Sequence, residues 1–424
     1  MKKSKKLLYF IFLWLILGGL IKQFVFNSPL IEFTSDILVL YLYLRVRGHN
    51  KNGDIKRIIG KKIPLVISAF LLIGIVSAFI NMQPLVVTLW GVRLYVRYYL
   101  LFISAYECLA REDILKYKKA IMKLFWFNLF FILIETFVLH IYGDPLGGTL
   151  AGGNSAFVNF AVPCFLIASC DYFDKRLSLK KILFIIVLIF YFALAGESKV
   201  IYFIIPALFY GTYVLMRKFN LYHLLLLVFL WLALVPTMQY GMESYYGKEY
   251  ADKVFDYESI ETETSGTGFG GDFNRSTQIE MSEKYFLTSP MHSFLGYGVG
   301  SGSTSDLFGS FGNKYKYTVF QYFSCSYLLA EFGWTGFLLY VLGHIFLLGR
   351  FLHYYFRYKH DSTIKKWSTI GILTTFFTFF LFWYNNSPVA DFYWMYFIWA
   401  LCCSSISFRC KDIAHKNVSS QKYR

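Results

Sequence analysis

Charged residues are scarce in this chain: only 16% of its 424 residues are Asp, Glu, Lys or Arg. Hydrophobic residues make up 56%, aromatic residues make up 21%, and the mean hydropathy is +0.47. Apolar runs of about 20 residues recur along the whole length, and a helix of that length crosses roughly 30 Å of hydrocarbon. This composition excludes a soluble globular protein. It predicts an all-α fold in a polytopic integral membrane protein.

Patterned cysteines are absent, which excludes a disulfide framework and a structural zinc site. The chain also lacks an internal repeat and a separate soluble domain. A basic N-terminus precedes the first apolar run, as in a signal peptide, but no small-residue cleavage site follows it. We therefore expect a retained first span. The seven cysteines, none of which lies between residues 239 and 317, are Cys108, Cys164, Cys170, Cys325, Cys402, Cys403 and Cys410.

Acidic residues are outnumbered by basic ones, 26 to 42, and the formal net charge is +16. The basic residues cluster in short connections, whereas the polar stretch 239–317 carries eleven acids and six basic residues. This split is typical of an oriented membrane protein and argues against a nucleic-acid partner. The positive-inside rule places both termini in the cytoplasm and the polar stretch outside. The basic connections are 45–62, 111–123, 174–181, 217–218, 350–366 and 409–424.

The apolar runs predict twelve membrane-spanning helices, because an open sheet edge is unstable in lipid. Nine form an N-terminal bundle in residues 1–238, and three form a C-terminal bundle in residues 318–408. Residues 239–317 are predicted as one large extracytoplasmic loop, and residues 409–424 as a cytoplasmic tail. We expect Val319–Ala330 to form an interfacial helix before the tenth span. The predicted spans are 7–25, 28–44, 63–81, 85–106, 124–142, 155–173, 182–195, 200–216, 221–238, 330–350, 368–387 and 391–408.

Two arginines break the apolar pattern of the fourth span. Arg93 and Arg97 are four residues apart and so share one helix face, roughly 13 Å below the predicted outer surface. A buried arginine costs a few kcal/mol at least, so such a pair indicates a polar cavity. The alternatives are snorkelling towards the outer headgroups or pairing with Glu135.

Two further cations fall on the predicted outer side, where the positive-inside rule disfavours them. Lys199 lies in a turn between two short spans, and Arg275 lies in the polar stretch. Arginine suits phosphate because its planar fork donates two parallel hydrogen bonds. The alternatives are plain ion pairs, with Glu197 for the lysine and with Asp272 or Glu280 for the arginine.

A glycine run, Gly296-Tyr297-Gly298-Val299-Gly300-Ser301-Gly302, lies in the polar stretch. Glycines allow the backbone to approach a ligand closely and to offer N–H donors to an anion, although a flexible turn is the alternative. Nearby aromatic rings could stack on sugars, or could simply populate the membrane interface. They are Tyr240, Tyr245, Tyr246, Tyr250, Tyr257, Phe269, Phe273 and Tyr297.

Three motifs, in this order and on this side of the membrane, resemble the O-antigen polymerase and ligase family of bacterial surface polysaccharide assembly. The first is Gly148-Thr149-Leu150-Ala151-Gly152-Gly153-Asn154-Ser155-Ala156 with Val162-Pro163. The second is the turn Gly196-Glu197-Ser198-Lys199, with lysine where the family has arginine. The third runs from Arg275 through Ser289-Pro290 and the glycine run to Glu331-Phe332-Gly333-Trp334-Thr335-Gly336. The resemblance covers roughly residues 145–345.

The resemblance implies a GT-C-like glycosyltransferase of the bacterial cytoplasmic membrane that needs no cofactor. Its donor would be a polyprenyl-diphosphate-linked oligosaccharide, and its partners would be membrane lipids, a chain-length regulator and a flippase. Fixed cations would stabilise the diphosphate leaving group. The residues expected to bind the diphosphate are Arg275, Arg93, Arg97 and Lys199. Those expected to contact the glycan are Asn154, Gly296, Gly298, Gly300 and Tyr297.

A base must take the proton of the acceptor hydroxyl. The sequence offers a histidine, His292, and two carboxylates, Glu197 and Asp272, since either type of side chain can serve with a suitable pKa. No metal is expected, because the outer acids are more typical of a solvated loop than of a cation site. The acids considered for a metal are Asp256 with Glu258, and Glu32 with Asp36 in the outer half of the second span.

One departure from the family pattern favours the polymerase branch over the ligase branch. Ligases of the family place a histidine shortly before the Glu-x-Gly stretch, and here that region reads Phe320-Gln321-Tyr322-Phe323. A ligase that transfers chains to a different acceptor is one alternative. A lipid-linked oligosaccharide flippase is another, but flippases have short loops and repeated halves, which this sequence lacks.

Overall fold

The computed structural model describes residues 2–25, 28, 30–47, 58–150, 153–196, 199–255, 273–304 and 311–422. Within these ranges every regular element is helical, and no strand is present. Several helices are long and apolar enough to cross a membrane. The prediction of an all-α membrane protein is confirmed.

Long helices precede and follow a segment of short ones. The first group is α1 Lys2–Phe24, α2 Leu30–Val46, α3 Lys62–Ile80, α4 Leu85–Cys108, α5 Arg111–Phe137, α6 Gly153–Phe173, α7 Leu179–Ala195, α8 Lys199–Met216 and α9 Leu221–Tyr246. The short helices are α10 Lys248–Phe255, α11 Gln278–Tyr285, α12 Pro290–Leu295 and α13 Phe311–Lys314. The last group is α14 Ser324–Arg357, α15 Ser362–Tyr384, the short α16 Ser387–Ala390, and α17 Tyr393–Lys422.

Each of the twelve predicted spans coincides with one of the long helices. In the described part of the chain, seven of these helices meet both the length and the hydropathy that a membrane crossing requires: α1, α3, α4, α5, α6, α14 and α15. The apolar part of α8, Ile201–Met216, is shorter. A total of twelve crossings therefore stays a prediction.

Some helix ends differ from the predicted spans. Helix α5 begins at Arg111, well before the predicted residue 124, because the basic segment in between consists largely of good helix formers. Helix α9 continues past residue 238 and ends before Gly247, and α17 continues through the predicted tail as far as Lys422. Hydropathy marks where a helix leaves lipid, whereas helix propensity and stop signals such as Gly247 influence where the helix itself ends.

Contacts between helix ends show which helices run in the same direction. At one end Lys5 of α1 pairs with Asp113 of α5 at 2.7 Å. At the other end of the same helices, Gln23 donates to Glu135 at 2.9 Å. Helices α1 and α5 therefore run in the same direction, as the predicted alternation of spans requires.

The polar stretch packs onto the membrane helices and has a core of its own. Phe273, Phe286, Phe311 and Phe320 form an aromatic cluster with ring centroids 4.9 to 6.2 Å apart, which joins buried residues of α14. Phe273 is 1% exposed, so its ring stabilises this core and is not accessible for stacking on a sugar.

Helix α14 is broken near its start. The segment Val319–Ala330, expected as an interfacial helix, instead comprises one 3-10 turn, Phe320–Tyr322, followed by the first residues of α14, which begins at Ser324. Gly333 has φ 58° and ψ −169°, a conformation that side chains with a Cβ rarely adopt. At this break the backbone of α14 lies against the end of α12, where a Cβ at Gly333 would lie 2.6 Å from the backbone of Phe294.

Candidate functional site

The two arginines of α4 meet one carboxylate of α2. Arg93 donates through Nε to Oδ2 of Asp36 at 2.5 Å. Arg97, one turn further along α4, places Nη1 3.5 Å from Oδ1 of the same side chain. The hydroxyl of Tyr393 donates to Oδ1 as well. The arginines share a helix face as predicted, but they pair with Asp36 and not with Glu135.

Glu135 is used elsewhere, which explains why the suggested pairing is wrong. Its Oε1 accepts a hydrogen bond from Gln23, and its Oε2 accepts from the backbone N–H groups of Gly147 and Gly148 at 3.3 and 2.6 Å. The carboxylate therefore fixes the loop that precedes α6. The sequence analysis considered Asp36 only as an acid in an apolar span and as a candidate metal ligand, not as the partner of the arginines.

Arg97 is the more deeply buried arginine, with 9% of its side chain exposed. Its Nη2 donates to the carbonyl oxygen of Ala390 at 2.6 Å and to the hydroxyl of Tyr98 at 2.7 Å. Its Nε and the Nη1 of Arg93 are buried and have no hydrogen-bond partner among the described residues. A buried donor without a partner is costly, so an acceptor placed beside either of these groups would be stabilised.

A cavity of about 270 Å³ opens beside Arg97. Ser155, at the start of α6, and Asp391, just before α17, contribute polar groups to its wall. Trp14 and Trp394 contribute aromatic walls. Arg97 therefore lines a cavity with polar groups in its wall, at the helix ends that the charge pattern assigns to the outside. Its role in binding a diphosphate stays a prediction.

Arg93 lies next to the cavity wall and does not line it. Its guanidinium carbon is 4.2 Å from the ring centroids of both Phe33 and Trp90, and 21% of its side chain is exposed. Its guanidinium thus stacks on two aromatic rings and forms its polar contact with Asp36. We infer that Arg93 positions Asp36, which in turn positions Arg97.

Two of the sequence motifs meet near this cavity. Asn154 donates through Nδ2 to the carbonyl oxygen of Gly196 at 2.8 Å and to Oδ1 of Asp144 at 3.0 Å. The next residue, Ser155, lines the cavity. Asn154 therefore joins the loop before α6 to the turn before α8. Lys199 begins α8, but its side chain, like Glu197, lies outside the described part.

Arg275 contacts the end of α15. Its guanidinium carbon is 4.5 Å from the ring centroid of Tyr384, and its Nε is buried without a hydrogen-bond partner in the described ranges. Those ranges also show no ion pair between Arg275 and Glu280, whereas Asp272 lies outside them. The segment between α15 and α17 begins after Tyr384 and includes Ala390. Arg275 contacts its start and Arg97 contacts its end.

His292 is directed towards α3, and its described contacts do not include the arginines. Its Nδ1 is 2.9 Å from the hydroxyl of Ser289, its Nε2 is 3.1 Å from Oδ1 of Asn81, and its ring stacks on Tyr297 at 4.0 Å. Partial burial lowers the pKa of His292 below its ordinary value of 6.5, which favours the neutral ring. These contacts fix α12 onto the end of α3. A role as base stays a prediction.

The glycine run has its N–H groups engaged within the protein. The N–H groups of Gly300 and Gly302 donate to Oε1 of Glu331 at 2.9 and 3.1 Å, and Gly298 donates to the carbonyl oxygen of Glu331. Glu331 is fully buried, and its Oε2 accepts from Tyr95 at 2.8 Å. These N–H groups are therefore not available to an anion in this structure, because the run packs between helices and its donors are used there.

Close backbone contact explains why the run needs glycine. Gly300 has φ +91°, and a Cβ there would lie 2.1 Å from the carbonyl oxygen of Val87. A Cβ at Gly91 of α4 would lie 2.2 Å from the nitrogen of Gly300, so these glycines face each other. A Cβ at Gly298 would lie 2.3 Å from Cα of Ala78 in α3. The run, with Gly296 at its start, ties the polar stretch to α3, α4 and α14.

Sequence reasoning did not identify the partners of its candidate residues. Asp36, Tyr393 and Asp391 complete the arginine site, and Tyr95 completes the Glu331 site. One signal was available: an acid in an apolar span is as costly as an arginine, so Asp36 and Arg97 should seek each other. Among the described residues, no group of three or more His, Cys, Asp or Glu could hold a metal ion.

The chain matches no model of a protein family and no curated protein sequence. The resemblance to the O-antigen polymerase and ligase family therefore rests on the three motifs alone.

Proposed function

We propose that the protein is a polysaccharide polymerase at the outer face of the bacterial cytoplasmic membrane. It would transfer a growing glycan from polyprenyl diphosphate to a lipid-linked repeat unit. Support comes from Arg97, a buried arginine whose Nε has no hydrogen-bond partner in the described part of the chain and lies beside a cavity at the predicted outer helix ends. This single observation carries the proposal, since such a group suits a diphosphate.

In the proposed reaction, the oxygen of an acceptor hydroxyl attacks the anomeric carbon of the donor sugar. The bond between that carbon and the diphosphate oxygen breaks, and the electron pair leaves with the polyprenyl diphosphate. Arg97 stabilises the charge that develops on the diphosphate, and Asp36 and Ala390 hold the guanidinium in place. Arg275 and Lys199 are proposed as further contacts of the same group.

The proton of the acceptor hydroxyl must pass to a base. His292, Glu197 and Asp272 stay candidates, and the cavity adds Asp391, which lines it together with Arg97. A carboxylate close to the leaving-group site can take the proton as the glycosidic bond forms. A polymerase and a ligase need the same groups here, so the acceptor distinguishes them.

The test measures glycan lengthening in membranes that contain Arg97→Ala or Arg97→Lys and that receive lipid-linked repeat units. We expect Arg97→Ala to lower the rate about 100-fold or more, because one preorganised donor contributes about that factor. Arg97→Lys should retain part of the rate, since it keeps the charge and loses the fork. A ladder of repeats identifies a polymerase, and one-step attachment to a different acceptor identifies a ligase.

A matched control is Arg350→Ala. Arg350 also lies in a helix, donates to a backbone carbonyl oxygen, that of Ile58, at 2.7 Å, and lies 5.2 Å from the ring centroid of Tyr354. It does not line the cavity, so its loss should leave the rate near the wild-type value once protein amounts are equalised. Unchanged lengthening by a well-folded Arg97→Ala protein would remove this arginine from the mechanism.

A further inference from the structure

A second cavity, of about 230 Å³, lies at the opposite helix ends, where the charge pattern places the cytoplasm. It opens between α5, α15, α17 and the connection from α6 to α7. Five basic side chains line it: Arg111, Lys118, Arg176, Lys366 and Arg409.

The positive-inside rule alone does not explain this arrangement. That rule requires basic residues near the cytoplasmic surface, and exposed side chains satisfy it. Here Lys366 has only 5% of its side chain exposed, and Lys118 only 13%. Both are drawn inward onto Asp171, which costs desolvation that orientation in the membrane does not require. The two lysines therefore form a buried side of the cavity, whereas the side chains of Arg111 and Arg176, 65% and 62% exposed, form its rim.

Ion pairing leaves a surplus of positive charge around this cavity. Four carboxylates face the five cations: Asp171 and Asp174 beside the lysines, and Asp361 and Asp412 beside the arginines. Among the described residues Arg176 has one ion-pair partner, Asp174 at 3.9 Å, and that carboxylate also lies 3.5 Å from Lys366. The balance of five against four leaves about one positive charge, which matches the single negative charge of a phosphodiester.

The other walls suit a ligand that is both polar and apolar. Ile114, Leu115, Trp367 and Phe408 provide an apolar side, and Leu115 is 54% exposed on the outer surface of the helices. Ser362 and Thr363, in the first turn of α15, add hydroxyl groups to the wall, while the helix N-terminus is capped by Asp361, whose carboxylate accepts from the N–H of Ile364 at 3.0 Å. A free inorganic anion has no apolar groups that could pack against this apolar wall.

We propose that this cavity binds the phosphodiester headgroup of an anionic phospholipid from the cytoplasmic leaflet. Basic pockets between membrane helices on the cytoplasmic side are suited to such headgroups. The lipid would join α5 and α17 across the cavity, with Arg176 as its contact nearest the surface. The proposal depends on the predicted orientation of the chain and does not depend on polymerase activity.

The test uses the purified full-length protein and counts bound lipid by native mass spectrometry. Dioleoyl phosphatidylglycerol is the probe, and dioleoyl phosphatidylcholine is its neutral counterpart. We expect selective retention of the anionic lipid, and about fivefold weaker binding by Arg176→Gln, since each cation near the surface contributes about that factor. Lys180→Gln removes an exposed charge that does not line the cavity, and it should bind as the wild type does.

A second variant separates binding from folding. Ser362→Glu places a negative charge in the cavity at the N-terminus of α15, where an acidic residue stabilises a helix. It should abolish selective retention without lowering the unfolding temperature. Equal retention of both lipids, or equal losses in Arg176→Gln and Lys180→Gln, would overturn the proposal. Competition by inorganic phosphate as strong as by the lipid would assign the cavity to free phosphate and overturn the lipid assignment.

Discussion

The sequence predicted two ligand-binding regions, and they differ in how their hydrogen-bond donors are used. The glycine run 296–302 and the arginine pair of α4 were both expected to meet a ligand. In the glycine run, donors point at Glu331 and at helix carbonyl groups. In the arginine site, Arg97 Nε and Arg93 Nη1 are buried without a partner among the described residues. The backbone N–H groups of the run are therefore used in packing, whereas Arg97 keeps a buried donor beside a cavity for which the described residues supply no acceptor.

The largest effect expected from this comparison is on stability, in Gly300→Ala. The new Cβ would lie 2.1 Å from the carbonyl oxygen of Val87, in a backbone conformation that alanine rarely adopts. We expect the free energy of unfolding to fall by roughly 4 kcal/mol or by enough to prevent folding. Gly349→Ala is the control, because a Cβ there meets nothing within 4 Å and alanine favours a helix. Thermal unfolding of the two purified variants gives the answer, and equal stability would refute the packing role.

Glu331 distinguishes packing from chemistry in the same region. Glu331→Ala leaves three donors without an acceptor, from Tyr95, Gly300 and Gly302, and should lower stability by about 3 kcal/mol. Glu331→Gln should cost only about 1 kcal/mol, because its carbonyl oxygen can accept both N–H groups while the Tyr95 hydroxyl turns to accept from the amide. Lengthening assays on Glu331→Gln complete the comparison. Full loss of activity in a stable Gln variant would show that this carboxylate takes part in the reaction.

Asp36→Asn examines the arginine side of the comparison. Removing the carboxylate leaves Arg93 and Arg97 as buried cations, so we expect stability to fall by about 2 kcal/mol. Inorganic pyrophosphate should then raise the unfolding temperature more than it does for the wild type, because an anion can replace the lost charge. Asp113→Asn is the control, since Lys5 keeps Glu112 at 3.3 Å. No response to pyrophosphate in Asp36→Asn would indicate that the arginines are structural.

The smallest expected effect is the pH response of His292. Burial lowers its folded-state pKa below 6.5, so the unfolded chain binds a proton more readily. The contribution of His292 is therefore fully present above about pH 6.5 and is lost as the pH falls through the window down to the lower folded-state pKa. His292→Gln should show less loss of unfolding temperature between pH 7 and pH 5 than the wild type. Identical pH profiles would remove this histidine from the acid response.

The sequence predicted the location of the helices better than the partners of the polar residues. Each predicted span coincides with a helix because hydropathy and helix propensity are local properties. The contact between Arg93 and Asp36 joins residues 57 positions apart, and that between Tyr95 and Glu331 joins residues 236 apart. No pattern within one segment encodes such pairings. The break of α14 at Gly333 was missed for the same reason, since it follows from the close approach of Phe294.

The sequence by itself determined that this protein is helical, belongs in a membrane and carries its basic residues in short connections, because lipid solvation acts on each segment separately. The tertiary structure alone decided that Arg97 keeps a donor beside a cavity that no described residue satisfies, while the backbone N–H groups of the glycine run are engaged in packing. The reason is physical: whether a polar group is satisfied depends on which groups the packed helices bring to it.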